Sequence, residues 1–166
     1  MTSWREALSD SARSDVDQLV DSGLAVAKSR LQTLAFFPPV AIFANEQGAI
    51  MQVAHDPSHL GRKATATAVA DDAVLQLTKV KDQARGVALV TSTHLAKERT
   101  DAIEVWIEHR EGVALSILLP YQRPTLGGVI TFGQLRPFTG ERGGWWSHHS
   151  RPTTPKPDEC RCRSAT

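Results

Sequence analysis

The sequence predicts an α+β protein: a mainly antiparallel sheet of five to six strands with two helices, in the order α-β-β-α-β-β-β, plus a flexible C-terminal tail. Three observations support this fold class. Two stretches carry apolar residues three or four positions apart, as on one face of a helix. Five further stretches are short apolar runs or alternate apolar with polar residues, as strands do. Beyond residue 135 both patterns stop.

The first helix is predicted to start at Ser14, after a flexible N-terminus of residues 1–13. Ser14 can cap a helix, and Asp15 and Asp17 would lie in its first turn, where negative charge is favourable. Pro38-Pro39 prevents any continuation. The predicted buried stripe consists of Val16, Leu19, Val20, Gly23, Leu24, Ala27, Leu31 and Leu34.

A hairpin is predicted next, with strands 40–44 and 49–54 around the loop Asn45-Glu46-Gln47-Gly48. A four-residue loop would pair Ala44 with Ala49 and therefore Ile42 with Met51. One face of this hairpin would then be entirely apolar.

The second helix is predicted over roughly residues 64–84, after a turn around Pro57, and Gly86 suits the end of this helix. Both helices are expected to pack against the apolar face of the sheet. The predicted stripe of the second helix consists of Ala66, Val69, Ala70, Ala73, Leu77, Val80 and Ala84.

Three strands in a meander follow, over residues 87–93, 102–109 and 113–119, and residues 129–132 can form a short last strand. A three-residue turn ending in Gly112 makes the paired side chains apolar, whereas a two-residue turn places Glu108 opposite Leu115. Because a one-residue slip turns every side chain to the other face, the apolar register is expected. It pairs Ile107 with Leu115, Val105 with Ile117 and Ile103 with Leu119.

The sequence divides into a single domain over residues 14–135 and a Pro/Gly-rich tail over residues 136–166 that is expected to be disordered. The whole chain of 166 residues has 19 Lys+Arg and 18 Asp+Glu, a net charge of +1. The first 135 residues carry 13 basic and 15 acidic side chains, or −2, and the tail carries 6 and 3, or +3. The near-neutral total therefore combines a mildly acidic domain with a basic tail.

Composition excludes several classes of protein. No apolar run approaches the roughly 20 residues of a membrane-spanning helix, so no membrane partner is expected. The start, residues 1–6, lacks the apolar core of a signal peptide, and a cytoplasmic location is expected. The only two cysteines, Cys160 and Cys162, cannot build a disulfide framework. The Gly127-Gly128 and Gly143-Gly144 pairs lack the context of a nucleotide-binding loop, and no cofactor is expected.

The opposite face of the meander supplies the candidate interface residues Glu104, Trp106, Glu108 and Leu118. A large aromatic side chain on a half-polar face is typical of a protein interface. The alternative is that Trp106 packs beneath a helix or the tail. Glu104 and Glu108 are about 13 Å apart on one strand, too far for an acid/base pair.

Histidines define the alternative, catalytic hypothesis: a small enzyme of unrecognised type with a site near His55, His59 and His94. The His55-x-x-x-His59 spacing matches two zinc ligands on one helical face, but Pro57 between them argues against a helix. Asp56 and Ser58 beside His55 suggest a hydrolase, but no nucleophile elbow accompanies them. No catalytic residue and no metal site is therefore assigned.

The tail offers weaker alternatives. His148, His149, Cys160 and Cys162 supply the four donors of a structural zinc, without the usual spacing. Trp145-Trp146 beside basic residues suggests weak nucleic-acid binding, although a charge of +3 is small for that partner. The proline-rich run over residues 151–157 could be a polyproline ligand or a plain linker.

The predicted element order resembles that of roadblock/longin-like (profilin-like) domains. Two motifs, Phe36-Phe37-Pro38-Pro39-Val40 and residues 103–112 running on to Leu119-Pro120-Tyr121, are similar to those of a group of small uncharacterised bacterial proteins. That resemblance covers roughly residues 30–135, and no catalytic residues come with it. Roadblock-like domains mostly act as dimeric adaptors. The sequence shows no catalytic constellation, and the second face of the meander is not fully polar. Together with this resemblance, these features favour a non-catalytic adaptor or regulatory domain, with a protein partner or a second copy of itself.

Overall fold

The structure, a computed structural model, describes residues 4–139. Its helices and strands follow the predicted order, and the strands form one antiparallel sheet in the order β2-β1-β3-β4-β5, with β6 and β7 both paired to the outer edge of β5. Single turns of 3₁₀ helix over Pro57–Leu60 and Lys81–Gln83 flank the second helix. The elements are α1 Asp10–Leu31, β1 Val40–Asn45, β2 Ile50–Gln52, α2 Ala66–Val80, β3 Ala84–Leu95, β4 Thr100–His109, β5 Val113–Gln122, β6 Thr131–Phe132 and β7 Arg136–Thr139.

Helix α1 begins at Asp10, four residues before its predicted start. Ser9 is the N-cap, and its hydroxyl accepts a hydrogen bond from the Ala12 N–H at 3.2 Å. The Glu111 carboxylate in turn accepts from both the backbone N–H and the hydroxyl of Ser9. Ser14, the predicted cap, lies inside the helix. The choice of cap depends on Glu111, 102 residues away, and no local pattern could show it.

The first hairpin has a register that differs by one residue from the prediction: Phe43, not Ile42, lies opposite Met51. The Asn45 side chain causes the difference, because its Oδ1 accepts from the N–H groups of Gln47 and Ala49. The Asn45 N–H also donates to the Ala49 carbonyl, which leaves a loop of three residues rather than four. Gly48 completes this turn at φ 80°, a value that favours glycine.

The register of the β4–β5 hairpin is confirmed. Ile107 pairs with Leu115, Val105 with Ile117 and Ile103 with Leu119. Gly112 ends the three-residue turn at φ 94°. Both hairpins therefore have a three-residue turn that ends in glycine, and only in the second does the apolar pattern of the sequence indicate the register.

The two helices cover opposite faces of the sheet, which corrects the expectation that both pack on one face. Helix α1 covers β1, β3 and β4, and helix α2 contacts β1 and β3 from the other side. These two strands are apolar on both faces, so each face needs a cover. The α1 face includes Val40, Ile42, Val90, Val105, Ile107 and Leu115. The α2 face includes Ala41, Val87 and Leu89, which pack with Ala73 and Leu77 of α2.

Strand β7 lies in the segment that the sequence predicts to be tail. Its four residues pair with Leu115–Leu118 of β5, although all four are exposed. Strand pairing here depends on backbone groups at an open sheet edge rather than on apolar burial, so hydrophobic periodicity cannot reveal it. Among residues 4–139, no helix is long and apolar enough to cross a membrane.

Helix α1 approaches the sheet most closely at Gly23, where a Cβ would lie 2.9 Å from Val90 Cγ2. We expect Gly23→Ala to lower the free energy of unfolding by about 1–3 kcal/mol through overpacking, although alanine is the better helix former. Urea denaturation measures this change. Ser29→Ala, at an exposed position of the same helix, is the control and should not destabilise. A stabilised Gly23→Ala protein would contradict the close packing of α1 on β3.

Candidate functional site

The candidate interface residues lie on the α2 face of β4 and β5, to one side of α2. Glu104, Trp106 and Leu118 are partly exposed, and Glu108 is buried. Trp106 packs at the border of the α2 cluster, and the Ser116 hydroxyl donates a 2.7 Å hydrogen bond to Glu104. We name this surface, including the neighbouring β7 residues, the outer face.

The pairing of β4, β5 and β7 arranges the outer face in rows. Glu104 lies opposite Leu118, and Leu118 lies opposite Arg136. The next row runs through Trp106, Ser116 and Phe138. Directly paired residues of antiparallel strands point to the same face, with strands about 4.8 Å apart. The outer face therefore combines three apolar side chains with a carboxylate at one border and a guanidinium at the other.

The Arg136 guanidinium forms an ion pair with Glu98, in the turn between β3 and β4. A hydrogen bond from Arg136 lowers the pKa of Glu98. Both side chains are nearly half exposed, so the pair is open to solvent and exchangeable.

Of the histidines of the catalytic hypothesis, the fold brings His55 and His59 together at Asp72 and places His94 apart from them. His55 Nε2 lies 2.7 Å from Asp72 Oδ2, and His59 Nε2 lies 3.2 Å from Asp72 Oδ1. His94 instead bonds Asp101 at 2.8 Å, on the exposed ends of β3 and β4. The sequence prediction paired His55 with His59 but missed Asp72, which comes from α2.

The Asp72 carboxylate bridges α2 to the segment before it. Burial opposes the charge of this carboxylate, but the hydrogen bond from His55 and the charges of both histidines outweigh it, so the pKa of Asp72 is lowered. The His59 Nδ1–H donates to the Asp56 carbonyl at 2.8 Å, which fixes the ring. Asp72 and His55 are both buried, and the arrangement ties the 3₁₀ turn to α2.

Neither the hydrolase nor the metal hypothesis gains a site from this geometry. The Asp56 carboxylate accepts from the Ser58 N–H and caps the 3₁₀ turn, while His55 turns to Asp72. Within residues 4–139, no group of three or more His, Cys, Asp or Glu side chains is placed to hold a metal ion. The tail candidates His148, His149, Cys160 and Cys162, with Trp145-Trp146 and the proline-rich run, lie outside the described residues.

A second polar cluster, which the sequence did not predict, lies at the end of the sheet that carries the β1–β2 and β4–β5 turns. The Asp15 carboxylate is 1% exposed and accepts two hydrogen bonds from Arg85, that from Nε at 2.8 Å. His109 Nε2 lies 3.2 Å from the same carboxylate. Asp15 belongs to α1, Arg85 to β3 and His109 to β4, so the cluster joins three elements. We name it the Asp15 cluster.

The hydrogen bonds of His109 define its tautomer. The Glu111 backbone N–H donates to His109 Nδ1 at 3.2 Å, so Nδ1 carries no proton. Nε2 must then carry the proton and donate a hydrogen bond to the Asp15 carboxylate. Both ring nitrogens of His109 are thus engaged in hydrogen bonds, which is suited to a structural role.

Two signals in the sequence could have indicated this cluster. Asp15 lies four residues before Leu19 and so falls on the buried stripe of α1, where a charge requires a partner. His109 continues the alternation Ile103, Val105, Ile107 and so faces the core. Arg85 gives no comparable signal, because it lies at the border between the second helix and its following strand.

No match to this chain was found among protein-family models, curated proteins or solved structures.

The Asp15 cluster should dominate local stability. We expect Asp15→Ala to lower the free energy of unfolding by about 2–4 kcal/mol. This loss is smaller than that for breaking a fully buried ion pair, because Arg85 reaches solvent. Asp17→Ala is the matched control, since Asp17 pairs with Arg5 on the exposed side of the same helix and should cost at most about 1 kcal/mol. Urea denaturation compares the two. Equal losses would contradict the central role of Asp15.

The hydrogen bonds from Ser9 lower the pKa of Glu111 below its ordinary 4.5. The folded protein therefore keeps this carboxylate charged where the unfolded chain takes up a proton, so the stabilisation is present above that pH and is lost on acidification. We expect Glu111→Gln to flatten the rise of unfolding free energy between about pH 3 and 5. Ser9→Ala should flatten the same region, and an additive double variant would contradict the pairing. Denaturation at several pH values provides the measurement.

Proposed function

We propose that this chain is a non-catalytic adaptor or regulatory domain that binds protein through the outer face, with a second copy of itself as the first partner. The supporting observation is the two rows of that face: Leu118 lies between Glu104 and Arg136, and the next row holds Trp106, Ser116 and Phe138. Phe138 is 50% exposed and Leu118 is partly exposed. An aromatic and aliphatic centre with a charged rim is the usual composition of a protein interface.

The charges of the outer face favour a second copy as partner. Glu104 and Arg136 flank Leu118 on opposite sides. A two-fold axis that runs along β5 near Leu118 would therefore bring Glu104 of each copy towards Arg136 of the other. Isologous contacts of this kind are self-complementary and are the commonest form of dimer. The exposed Arg136–Glu98 pair can exchange partners at small cost.

The role of each residue in this proposal follows from its exposure. Phe138, Leu118 and the accessible part of Trp106 supply apolar contact, and Glu104 and Arg136 set the orientation. Glu108 is 4% exposed, so it supports the face from beneath rather than touching a partner. The adaptor function also agrees with the resemblance in element order to roadblock-like domains, many of which are dimers.

A charge exchange tests this proposal. We expect Glu104→Lys and Arg136→Glu each to weaken self-association about tenfold, because each places like charges opposite one another. The double variant should recover most of the loss, since it restores unlike pairs. Sedimentation velocity over a concentration series of the full chain measures the dissociation constant.

Two apolar variants complete the experiment. Leu118→Ser with Phe138→Ser should abolish the dimer, whereas Leu75→Ser, at a 54% exposed apolar position on α2, should leave it unchanged. Thermal unfolding confirms that each variant is folded. A wild-type chain that stays monomeric at every concentration, or a charge-exchanged double variant no better than the singles, would overturn the second-copy interface.

A further inference from the structure

Exposed apolar side chains concentrate at the end of the sheet opposite the Asp15 cluster. Four of them lie in two loops: Leu34 and Phe36 between α1 and β1, and Leu126 and Val129 between β5 and β6. Leu126 is 98% exposed, Val129 85% and Phe36 75%. No other described segment presents apolar side chains so openly. We name these four residues the loop tip.

Specific contacts hold the two loops together. Arg123 Nη2 donates to the carbonyls of Leu31 and Leu34, at 2.9 and 2.7 Å, and so joins the second loop to the C-terminal end of α1. The Lys28 ammonium lies 5.0 Å from the centre of the Phe132 ring, just beyond the second loop. The loop tip is therefore one surface, although its halves are about 90 residues apart in sequence.

The charge around the loop tip is entirely positive in both segments that form it. No Asp or Glu occurs between Asp21 and Glu46, or between Glu111 and Glu141. The same segments contain Lys28, Arg30, Arg123 and Arg136, and Arg136 is paired with Glu98 in the turn between β3 and β4. On the neighbouring strand β4, Asp101 lies opposite Tyr121, and its carboxylate is paired with His94.

We propose that the loop tip docks on an anionic lipid surface, with Leu126 and Val129 inserted among the acyl chains and Lys28, Arg30 and Arg123 close to the phosphates. An almost fully exposed side chain protrudes and has no pocket of its own to fill, which suits insertion into a fluid interface better than fitting a rigid partner. Apolar tips with flanking cations are the usual elements of peripheral lipid binding. Such binding needs no spanning helix, so the short apolar runs of this sequence do not oppose it.

This docking is independent of the proposed dimer. The outer face lies on β4, β5 and β7, and none of its residues belongs to the loop tip. The charge-exchange variants of the outer face and the variants below therefore test separate surfaces.

Vesicle cosedimentation of the full chain tests the proposal. We expect binding to vesicles of phosphatidylcholine with phosphatidylglycerol, much weaker binding to phosphatidylcholine alone, and a decrease with added salt. Leu126→Ser with Val129→Ser should weaken binding about tenfold or more, since the inserted apolar area is lost. Lys28→Gln with Arg30→Gln should remove most of the preference for anionic vesicles.

The matched control is Met51→Ser with Leu75→Ser, which removes two exposed apolar side chains at 47% and 54% exposure outside the loop tip. This control should bind as the wild type does. Unchanged binding of the Leu126/Val129 variant would overturn the proposal and would assign the effect to another segment, such as the basic tail. Absence of vesicle binding would also overturn it, and if the same variant then weakens self-association, the loop tip belongs to a protein interface.

Discussion

The buried carboxylate of Asp15 is the interaction on which the position of α1 depends. An aspartate that is 1% exposed in an apolar layer is costly unless its charge is met, and Arg85 and His109 meet it from two neighbouring strands. Apolar burial is non-directional, whereas hydrogen bonds to one carboxylate require it to occupy one position. This cluster therefore fixes the register of α1 on β3 and β4 together with the close approach at Gly23.

The same end of the sheet holds the two glycine turns and the helix cap. The β4–β5 turn contributes Glu111 to the cap at Ser9, and its backbone N–H fixes the ring of His109. In the first hairpin turn, the Glu46 carbonyl accepts from Arg85 and its carboxylate pairs with Arg110. The turns, the cap and the cluster therefore share partners, so a change in one alters the geometry of the others. The segment that follows β2, including the 3₁₀ turn over Pro57–Leu60, is held to α2 separately through Asp72.

The sequence allowed the element order, the stripe of α1 as far as Leu31 and the β4–β5 register to be predicted, because apolar periodicity is local and strong in those segments. Leu34, also placed on that stripe, lies beyond the helix and is exposed. Three features escaped for physical reasons. The start of α1 depends on a carboxylate from a distant turn. The first register depends on the Asn45 side chain, since both registers leave apolar residues facing the core. The placement of α2 depends on β1 and β3 being apolar on both faces. A prediction that assigns each strand one apolar and one polar face does not show this property. Of the candidate site, the residues of the outer face could be named from β4 and β5, but Phe138 and Arg136 could not, because β7 is a strand without an apolar pattern.

Polar side-chain contacts are distributed unevenly between the two ends of the sheet. The long-range hydrogen bonds of Asp15, Ser9 and Glu46 lie at the end of the sheet that holds the Asp15 cluster. Residues 124–130, at the opposite end, contribute none of the side-chain hydrogen bonds described above. Substitution of Leu126 or Val129 in the β5–β6 loop should therefore cost little folding stability, whereas Gly127 and Gly128, at φ 72° and 142°, constrain the backbone of this loop. The exposed apolar side chains of this loop can therefore be exchanged with little effect on the scaffold, which leaves them available for contact with other molecules.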